Sequence, residues 1–323
     1  MPAPSAPLLI VNPIAGDGRS LHLEPWLHHR LRSAGHGARM VKTREPGHAR
    51  ELARHAAANG HDRVVAVGGD GTVQEVVNGI LESGSGLAVG IIPGGNGNDL
   101  ARSLGIPNKL DEALEVALGE SLTTIDVGKA TRGEGTTKVV RHFTSAGGVG
   151  FDAQVARTMA GRRRRWQRGR IGYSLSTLWE LQRFHNRGVE ITLDTPDGER
   201  MIERRILFMA FANGMYYGGG MQICPDAMLA DGWIDLCLVG DISRLEAMRQ
   251  LPGLYHGGHV GHPAVEFLRA RSIGITGDDD TLAHLDGEPF GSLPLRIEVV
   301  PGALTVAAPS GGDAVPAGVG LDG

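Results

Sequence analysis

Glycines and an acid alternate in one short string of this sequence. VVAVGGDGTVQEVVNGI, at residues 64–80, sets Gly68, Gly69 and Gly71 between an apolar run and a helical pattern. Glycines at such a junction let backbone N–H groups approach phosphate, and the helix start adds its positive end. We expect Gly69 to need a positive φ. Asp70 would repel phosphate unless a cation such as Mg²⁺ or a hydroxyl faces it.

A second glycine-rich string, PGGNGNDLAR at residues 93–102, follows the next apolar run and supplies Asp99. Ligands of parallel sheets bind at the carboxyl ends of the strands, where both strings are expected. The sequence has no GxxxxGK[ST] string and no GxGxxG after its first strand, which argues against a Walker cradle and a Rossmann fingerprint. Taken alone, each string is also compatible with an ordinary strand-to-helix turn.

The elements that must position these strings alternate between strand and helix over the first third of the chain. The runs PLLIVN, GARMVKT, DRVVAVGG and GLAVGIIPGG are strand-like, and helical spacing fills the intervals. Near-continuous apolar strands in βα units predict a parallel sheet covered on both faces. We predict an α/β domain over 1–128, a mostly antiparallel β-rich domain over 129–309, and a disordered Gly-rich tail over 310–323.

Composition narrows the class of protein. The net charge is −4 over 323 residues, so no global basic field indicates a nucleic-acid partner. Cys224 and Cys237 give no disulfide framework and suit a reducing compartment. The first residues lack a basic signal-peptide region, and no run of about 18 apolar residues predicts a membrane span. We therefore expect a cytoplasmic protein without nucleic acid as a partner.

Six strings, in the same order along the chain, resemble the diacylglycerol kinase catalytic-domain family, specifically its small soluble bacterial lipid kinases. They are NPIAG (12–16), GGDGT (68–72), PGGNGND (93–99), AGGVGFDAQV (146–155), PDAMLADGWIDLCLV (225–239) and LDGEPF (285–290). GGDGT alone is shared with NAD kinases. The combination, spread over residues 7 to 308, is far more specific.

The resemblance implies an α/β domain with a parallel sheet, of the NAD kinase and diacylglycerol kinase type, followed by a mostly antiparallel β-sandwich domain. It also implies an ATP- and Mg²⁺-dependent lipid kinase that transfers the γ-phosphoryl group to a lipid hydroxyl, with diacylglycerol as the leading substrate. The alternatives are an NAD kinase-like enzyme and a catalytically inactive nucleotide- or lipid-binding module. A homodimer is possible.

Roles follow from the resemblance, position by position. The residues implied to bind ATP are Asn12, Gly68, Gly69, Asp70, Gly71, Thr72, Gly95, Asn96 and Asn98. The acids implied to belong to a water-linked Mg²⁺ network are Asp70, Asp99, Asp231 and Glu288. Asp286 would be the general base toward the lipid hydroxyl. The family usually has Thr or Ser where Asn96 stands, although an amide can still donate to a phosphate.

The basic string GRRRRWQRGR, at residues 161–170, surrounds one tryptophan with six arginines. A lipid substrate lies in a bilayer, so transient docking on anionic phospholipid through Arg162, Arg163, Arg164 and Arg165 would help such an enzyme. A solvated loop is the competing interpretation. We expect peripheral membrane association.

Overall fold

The computed structural model describes most of the chain as two compact units. The described residues are 6–33, 35, 37–161 and 184–310. One unit contains the described residues up to Ile125 and those from Gly302 onward, and the other unit is Asp126–Pro301. Each unit has its own buried core.

Three predictions fall largely or wholly outside the described residues. Arg162, Arg163, Arg164 and Arg165 lie there, as does nearly all of the helix expected near 171–184. The tail lies there from residue 311 onward.

The strands of the described chain are β1 (Leu8–Val11), β2 (Arg39–Lys42), β3 (Arg63–Gly68), β4 (Ala88–Pro93), β5 (Leu122–Arg132), β6 (Val139–Phe143), β7 (Ala146–Gly150), β8 (Arg187–Thr195), β9 (Gly198–Ile206), β10 (Phe208–Ala212), β11 (Tyr216–Tyr217), β12 (Met221–Gln222), β13 (Ile234–Val239), β14 (Val265–Ala270), β15 (Ser272–Gly277), β16 (Leu282–Leu285), β17 (Glu288–Ser292) and β18 (Leu295–Ala307). The α-helices are α1 (Leu23–Ser33), α2 (His48–Arg54), α3 (Asp70–Ser83), α4 (Asp99–Ser103), α5 (Leu110–Leu118), α6 (Phe151–Gly161) and α7 (Arg244–Gln250).

The first unit is built on a parallel sheet, as predicted. Its strands run in the order β2, β1, β3, β4, and the end of β18 lies parallel to β4 with Val306 opposite Val89. Every residue of β1 and β4 is buried, because helices cover the sheet. Leu27 of α1 and Leu114 of α5 share one cluster with side chains of β1, β3 and β4.

The final strand contributes residues to both compact units. The second unit is Asp126–Pro301 and the residues from Gly302 belong to the first unit, while the predicted domain boundaries, 1–128 and 129–309, stay predictions. The local pattern of ALTVAAP marks a strand, but it does not say which sheet that strand joins. Its partner, β4, lies far earlier in the sequence, so only the tertiary structure decides its assignment.

The second unit is the predicted antiparallel sandwich. One layer contains β9, β8, β15 and the beginning of β18, and the other runs in the order β14, β13, β10, β7, β16, β17. Alternate residues of β8, namely Val189, Ile191 and Leu193, point into a core shared with Phe211 and Leu285 of the other layer. This alternation contrasts with the continuous burial of β1 and β4.

The outer face of the six-stranded layer is covered as well. Phe151 and Val155 of α6 and Ala247 of α7 pack with Phe208 and Ala210 of β10. Both faces of β10 are therefore buried, which accounts for its uninterrupted apolar sequence. No helix in the described part of the chain combines the length and apolar character that crossing a bilayer requires.

Candidate active site

Backbone contact between the glycine loops explains much of the glycine pattern in the first unit. A Cβ on Gly95 would overlap the Cα of Gly69, and a Cβ on Gly69 would lie 3.0 Å from the Cα of Gly95. A Cβ on Gly16 would overlap the carbonyl oxygen of Gly94. The loops after β1, β3 and β4 are thus packed against each other without intervening side chains, which only glycine permits.

The expectation of a positive φ at Gly69 is wrong. Gly69 has φ −96° and ψ −172°, which is extended backbone that any residue adopts. Glycine is needed at this position for the close approach to Gly95 instead. Gly68 is the last residue of β3, and a Cβ on Gly68 would overlap the Thr72 side chain. Gly71 lies in the first turn of α3.

Asp70 joins the two predicted phosphate loops to each other. Its Oδ2 accepts the Asn98 N–H at 2.8 Å, and its Oδ1 accepts the Asp99 N–H at 2.6 Å. Burial raises the pKa of the Asp70 carboxyl, and these two hydrogen bonds oppose the rise. The acid at the centre of GGDGT therefore has a structural partner: it fixes the backbone at the start of α4.

Asn98 completes the turn that Asp70 anchors. It has a left-handed backbone, with φ 55° and ψ 44°, and its Oδ1 accepts the Gly95 N–H at 3.0 Å. Asp99 is buried, and a Cβ on Gly97 would lie 3.5 Å from Asp99 Oδ2 and 2.5 Å from Asp70 Oδ2. The carboxylates of Asp70 and Asp99 therefore both lie against Gly97.

Asn12 pairs with Thr72 across the first loop. The Asn12 amide donates to Thr72 Oγ1 at 2.9 Å, and its carbonyl accepts the Ile14 N–H at 3.2 Å. Thr72 is buried and Asn12 is half-buried. The pair ties NPIAG to GGDGT, so the strings that carried the resemblance form one connected set of loops.

Two arginines that the sequence analysis did not single out reach the second glycine loop. Arg19 donates to Asn96 Oδ1 at 2.6 Å and to the Gly95 carbonyl at 3.2 Å, and Arg102 donates to the Gly97 carbonyl at 3.4 Å. Both arginines are exposed. They supply positive charge to loops that lack the lysine of a Walker cradle, and their positions shortly after NPIAG and PGGNGND were the available signal.

Asp286 occupies a tight hairpin turn in the second unit. Leu285 pairs with Glu288, so Asp286 and Gly287 are the two central residues of the turn, with φ 48° and 81°. Two positive φ values are the signature of a type I′ turn, for which Asp-Gly is a favoured sequence. LDGEPF therefore forms a turn between two strands.

The Asp286 carboxylate is fixed by three backbone donors. Its Oδ1 accepts the N–H groups of Ser145 at 3.0 Å and Ala146 at 3.2 Å, and its Oδ2 accepts that of Thr144 at 3.1 Å. Thr144 and Ser145 connect β6 to β7, and Ala146 is the first residue of β7. Asp286 is half-buried, whereas Glu288, which opens β17, is exposed.

Asp231 is engaged by an arginine of the same unit. Arg269 forms ion pairs with Asp231 and with Asp235, the second at 3.0 Å. Burial raises the pKa of Asp235 to about 6, Arg269 opposes the rise, and the Asp231 charge adds to it. A single arginine is thus shared by two carboxylates and offsets part of the negative charge of Asp231, whose role beside a metal ion stays a prediction.

A buried polar network that the sequence analysis missed connects the Asp231 loop with the segment that holds Asp286. Asp126 Oδ2 accepts the Gly232 N–H at 2.7 Å. The Asn213 amide donates to the carbonyls of Asp126 at 2.9 Å and Thr144 at 3.3 Å. Isolated Asp and Asn residues in strand surroundings carry no motif, so nothing in the sequence identified these two.

The predicted site residues therefore fall into two groups. The structure brings together those of the first unit: Asn12, Gly68, Gly69, Asp70, Gly71, Thr72, Gly95, Asn96, Asn98 and Asp99. Asp231, Asp286 and Glu288 belong to the second unit. Within the described chain, no three His, Cys, Asp or Glu side chains gather into a group that could hold a metal ion.

Comparison with known proteins agrees with this division. Residues 6–130 match the diacylglycerol kinase catalytic domain, and residues 145–308 match the YegS C-terminal NAD kinase beta sandwich-like domain. A probable YegS-like lipid kinase of Chromohalobacter salexigens is 35% identical over 287 residues, which cover 87% of each chain. The chain belongs to the diacylglycerol kinase and YegS-like lipid kinase family.

Further members of this family span nearly the whole chain. A diacylglycerol kinase of Mycobacterium tuberculosis is 32% identical over 304 residues, covering 94% of this chain and 95% of the relative. A crystal structure of a diacylglycerol kinase candidate from Bacillus anthracis superposes with a TM-score of 0.74 at 25% identity, covering 95% of this chain and 96% of that one. The resemblance and the fold class expected from the sequence are confirmed, and the protein is a phosphotransferase of the kinase type.

Proposed function

We propose that this protein transfers the γ-phosphoryl group of ATP to the hydroxyl of a lipid, with diacylglycerol as the leading acceptor. The observation that carries the proposal is the anchored Asp286, a half-buried carboxylate held by three backbone N–H groups, in a chain that also has the family's glycine loops. The names of the relatives support the lipid class of the acceptor.

The residues of each unit have separate tasks in this reaction. Backbone N–H groups of the glycine loops, together with Arg19 and Arg102, bind and orient the phosphates of ATP. Asp286 accepts the proton of the lipid hydroxyl. At the same time the hydroxyl oxygen bonds to the γ-phosphorus, and the bond between the γ-phosphorus and the bridging oxygen of ADP breaks. Because phosphoryl transfer proceeds through a loose transition state, positioning and charge neutralisation contribute most of the catalysis.

The carboxylates of the first unit suit Mg²⁺ in a specific way. Both oxygens of Asp70 already accept backbone N–H groups, so water-mediated contact is the arrangement that fits this acid, beside Asp99 at Gly97. Carboxylate oxygens, waters and substrate phosphates are the usual ligands of Mg²⁺ in such sites. When bound, the ion would neutralise charge on the phosphates. Asp231 and Glu288 stay predictions as members of this network.

A lipid panel is the direct test of the proposed reaction. Purified protein is incubated with labelled ATP, Mg²⁺ and detergent-dispersed lipids that carry a free hydroxyl, with NAD in a parallel reaction, and products are separated by chromatography. We expect one lipid class to acquire label. Label in NAD alone would identify an NAD kinase, and label in neither would favour a binding module.

Metal dependence is tested in the same assay. We expect EDTA to abolish transfer and added Mg²⁺ to restore it, because acids would otherwise repel the phosphates at the glycine loops. The measurement is initial rate against free Mg²⁺. Full turnover in metal-free buffer would remove Mg²⁺ from the proposal.

We also propose that the protein docks transiently on anionic bilayers through Arg162, Arg163, Arg164 and Arg165. The support is the sequence alone: clustered arginines each contribute about 1 kcal/mol near an anionic surface. Replacing all four by Gln should reduce activity on anionic vesicles at low salt and leave detergent-dispersed lipid unaffected. Equal co-sedimentation of both proteins with vesicles would instead indicate a solvated segment. Homodimerisation stays a prediction that light scattering can test.

A further inference from the structure

His284 and Asp152 form a buried polar pair to which the proposed chemistry gives no role. His284 Nε2 lies 3.2 Å from Asp152 Oδ2, and the two side chains are 3% and 5% exposed. A polar pair removed from water in this way is costly unless its hydrogen bonds are satisfied. Its location gives the first indication of its purpose, because His284 is two residues before Asp286.

The other ring nitrogen of His284 faces the turn that contains Asp286. The Gly287 N–H donates to His284 Nδ1 at 3.3 Å. A nitrogen that accepts a hydrogen bond carries no proton, so these partners assign the ring proton to Nε2, where Asp152 accepts it. Tyr217 stacks on the ring with centroids 6.2 Å apart and planes inclined by 21°. Partners at both nitrogens and on one face hold the ring in one orientation.

The position of Asp152 is itself set by a glycine. Asp152 lies in the first turn of α6, and its Oδ1 accepts the Ala153 N–H at 2.7 Å. Gly148 of β7 stands opposite His284 of β16, and a Cβ on Gly148 would overlap Asp152 Oδ2. The missing side chain at Gly148 leaves the space through which the carboxylate reaches the histidine.

Both peptide groups that flank Asp286 are consequently hydrogen-bonded. Asp286 N–H donates to the Ala146 carbonyl at 2.8 Å, and Gly287 N–H donates to the histidine. Asp286 has φ 48°, a conformation that non-glycine residues rarely adopt and that persists when the surroundings determine it. Fixing the peptides on either side fixes this conformation, and with it the direction of the carboxylate.

We propose that His284, oriented by Asp152, is a positioning residue that holds the Asp286–Gly287 turn in its reactive conformation. This inference rests on the proposed function, in which Asp286 accepts the proton of the lipid hydroxyl. A displacement of about 1 Å in a reacting group can lower turnover about a hundredfold. The pair therefore influences kcat without contacting substrate.

Two amide variants of His284 separate the contact at Nδ1 from the contact at Nε2. In His284→Asn the side-chain oxygen can occupy the place of Nδ1 and accept from Gly287, whereas in His284→Gln the amide reaches only the place of Nε2 and contacts Asp152. We expect kcat to fall roughly tenfold to a hundredfold in H284Q, with KM for ATP unchanged, and H284N to retain at least several times the kcat of H284Q. Asp279→Asn, on an exposed turn, is the unrelated control.

A second readout needs no substrate. Hydrogen exchange of the Gly287 amide, followed by NMR, should be slow in the wild type and in H284N and fast in H284Q. Equal kcat in H284Q and wild type, equal losses in both variants that parallel their melting temperatures, or identical Gly287 exchange in all three would each overturn the inference.

The design separates failure of this inference from failure of the proposed function. Full activity of Asp286→Asn would remove Asp286 as the base, while Gly287 exchange would still report whether His284 holds the turn. Should H284Q fail to fold, Asp152→Asn supplies the comparison, since a neutral amide orients the ring less firmly. It should lower kcat several-fold and speed Gly287 exchange, and unchanged values would overturn the inference.

Discussion

Asp70 and Asp286 are both held by backbone N–H groups, but the groups come from different kinds of structure. Asp70 accepts from Asn98 and Asp99, the residues that begin α4, and so ties one loop to the next. Asp286 accepts from Thr144, Ser145 and Ala146, and so ties a hairpin turn to a neighbouring strand segment.

The difference concerns what each acid contributes. Removing the Asp70 carboxylate leaves the N–H groups of Asn98 and Asp99 without their acceptor, and of these contacts only the Gly94 N–H bond to the Gly68 carbonyl then still joins the backbones of the two loops. The Asp286 turn has further support from the Asp286 N–H and from His284, so the carboxylate can change without loss of the turn. We therefore expect Asp70 to act as a structural clamp and Asp286 to act in the chemistry, although both acids lie in strings that carry the resemblance.

The largest expected effect is on turnover at Asp286. Asp286→Asn keeps the volume and one acceptor oxygen but cannot take a proton, so kcat should fall by about 10²–10⁴. Because an amide NH2 replaces one of the two oxygens that accept backbone N–H groups, the melting temperature should fall modestly, whereas the calorimetric affinity for ATP should stay close to the wild type. Steady-state kinetics with Asp279→Asn as control provide the measurement. Wild-type turnover would make Asp286 a structural acid like Asp70.

At Asp70 we expect the main effect on stability and on ATP affinity. Asp70→Ala leaves the N–H groups of Asn98 and Asp99 without their acceptor, so the free energy of unfolding should fall by about 2–4 kcal/mol. ATP affinity should fall with it, because the loops lose their relative placement. Urea denaturation and calorimetry measure both, and the exposed Glu120→Ala is the matched control in the same unit. A change no larger than that of the control would refute the clamp.

The next largest effect is expected from the close packing of Gly95 against Gly69, which contributes to stability. Gly95→Ala places a methyl group into the Cα of Gly69, which should cost about 1–3 kcal/mol of stability and weaken ATP binding. Gly37→Ala, where a Cβ meets open space, should change stability by less than about 0.5 kcal/mol. Identical unfolding curves for the two variants would show that the loops adjust freely.

The smallest effect is expected at Asn96. Its side chain is exposed and contacts Arg19 and Asp17 at the rim of the loop. Asn96→Thr restores a residue type common in the family and a hydroxyl donor, so KM for ATP should change by about threefold or less. A change of more than about tenfold in kinetic assays would make this amide a principal phosphate contact.

The sequence by itself determined the fold class, and it singled out Asp70 and Asp286 as candidate site residues. Uninterrupted apolar strands between helical segments predicted the parallel sheet, because burial on both faces is written into local periodicity, and alternation such as that of β8 is typical of a strand buried on one face. The Asp-Gly pair also specified its own turn, since few other residues tolerate two positive φ values in succession.

Tertiary structure alone decided what the acids and glycines touch. Asp70, Asp286 and His284 bind backbone N–H groups, which every residue except proline carries, so no residue type marks the partner. Gly69 is glycine because Gly95 approaches it, and not because of its own φ. The final strand joins β4 through a pairing far along the chain. Contacts between distant segments depend on how the chain packs, and local patterns do not record them.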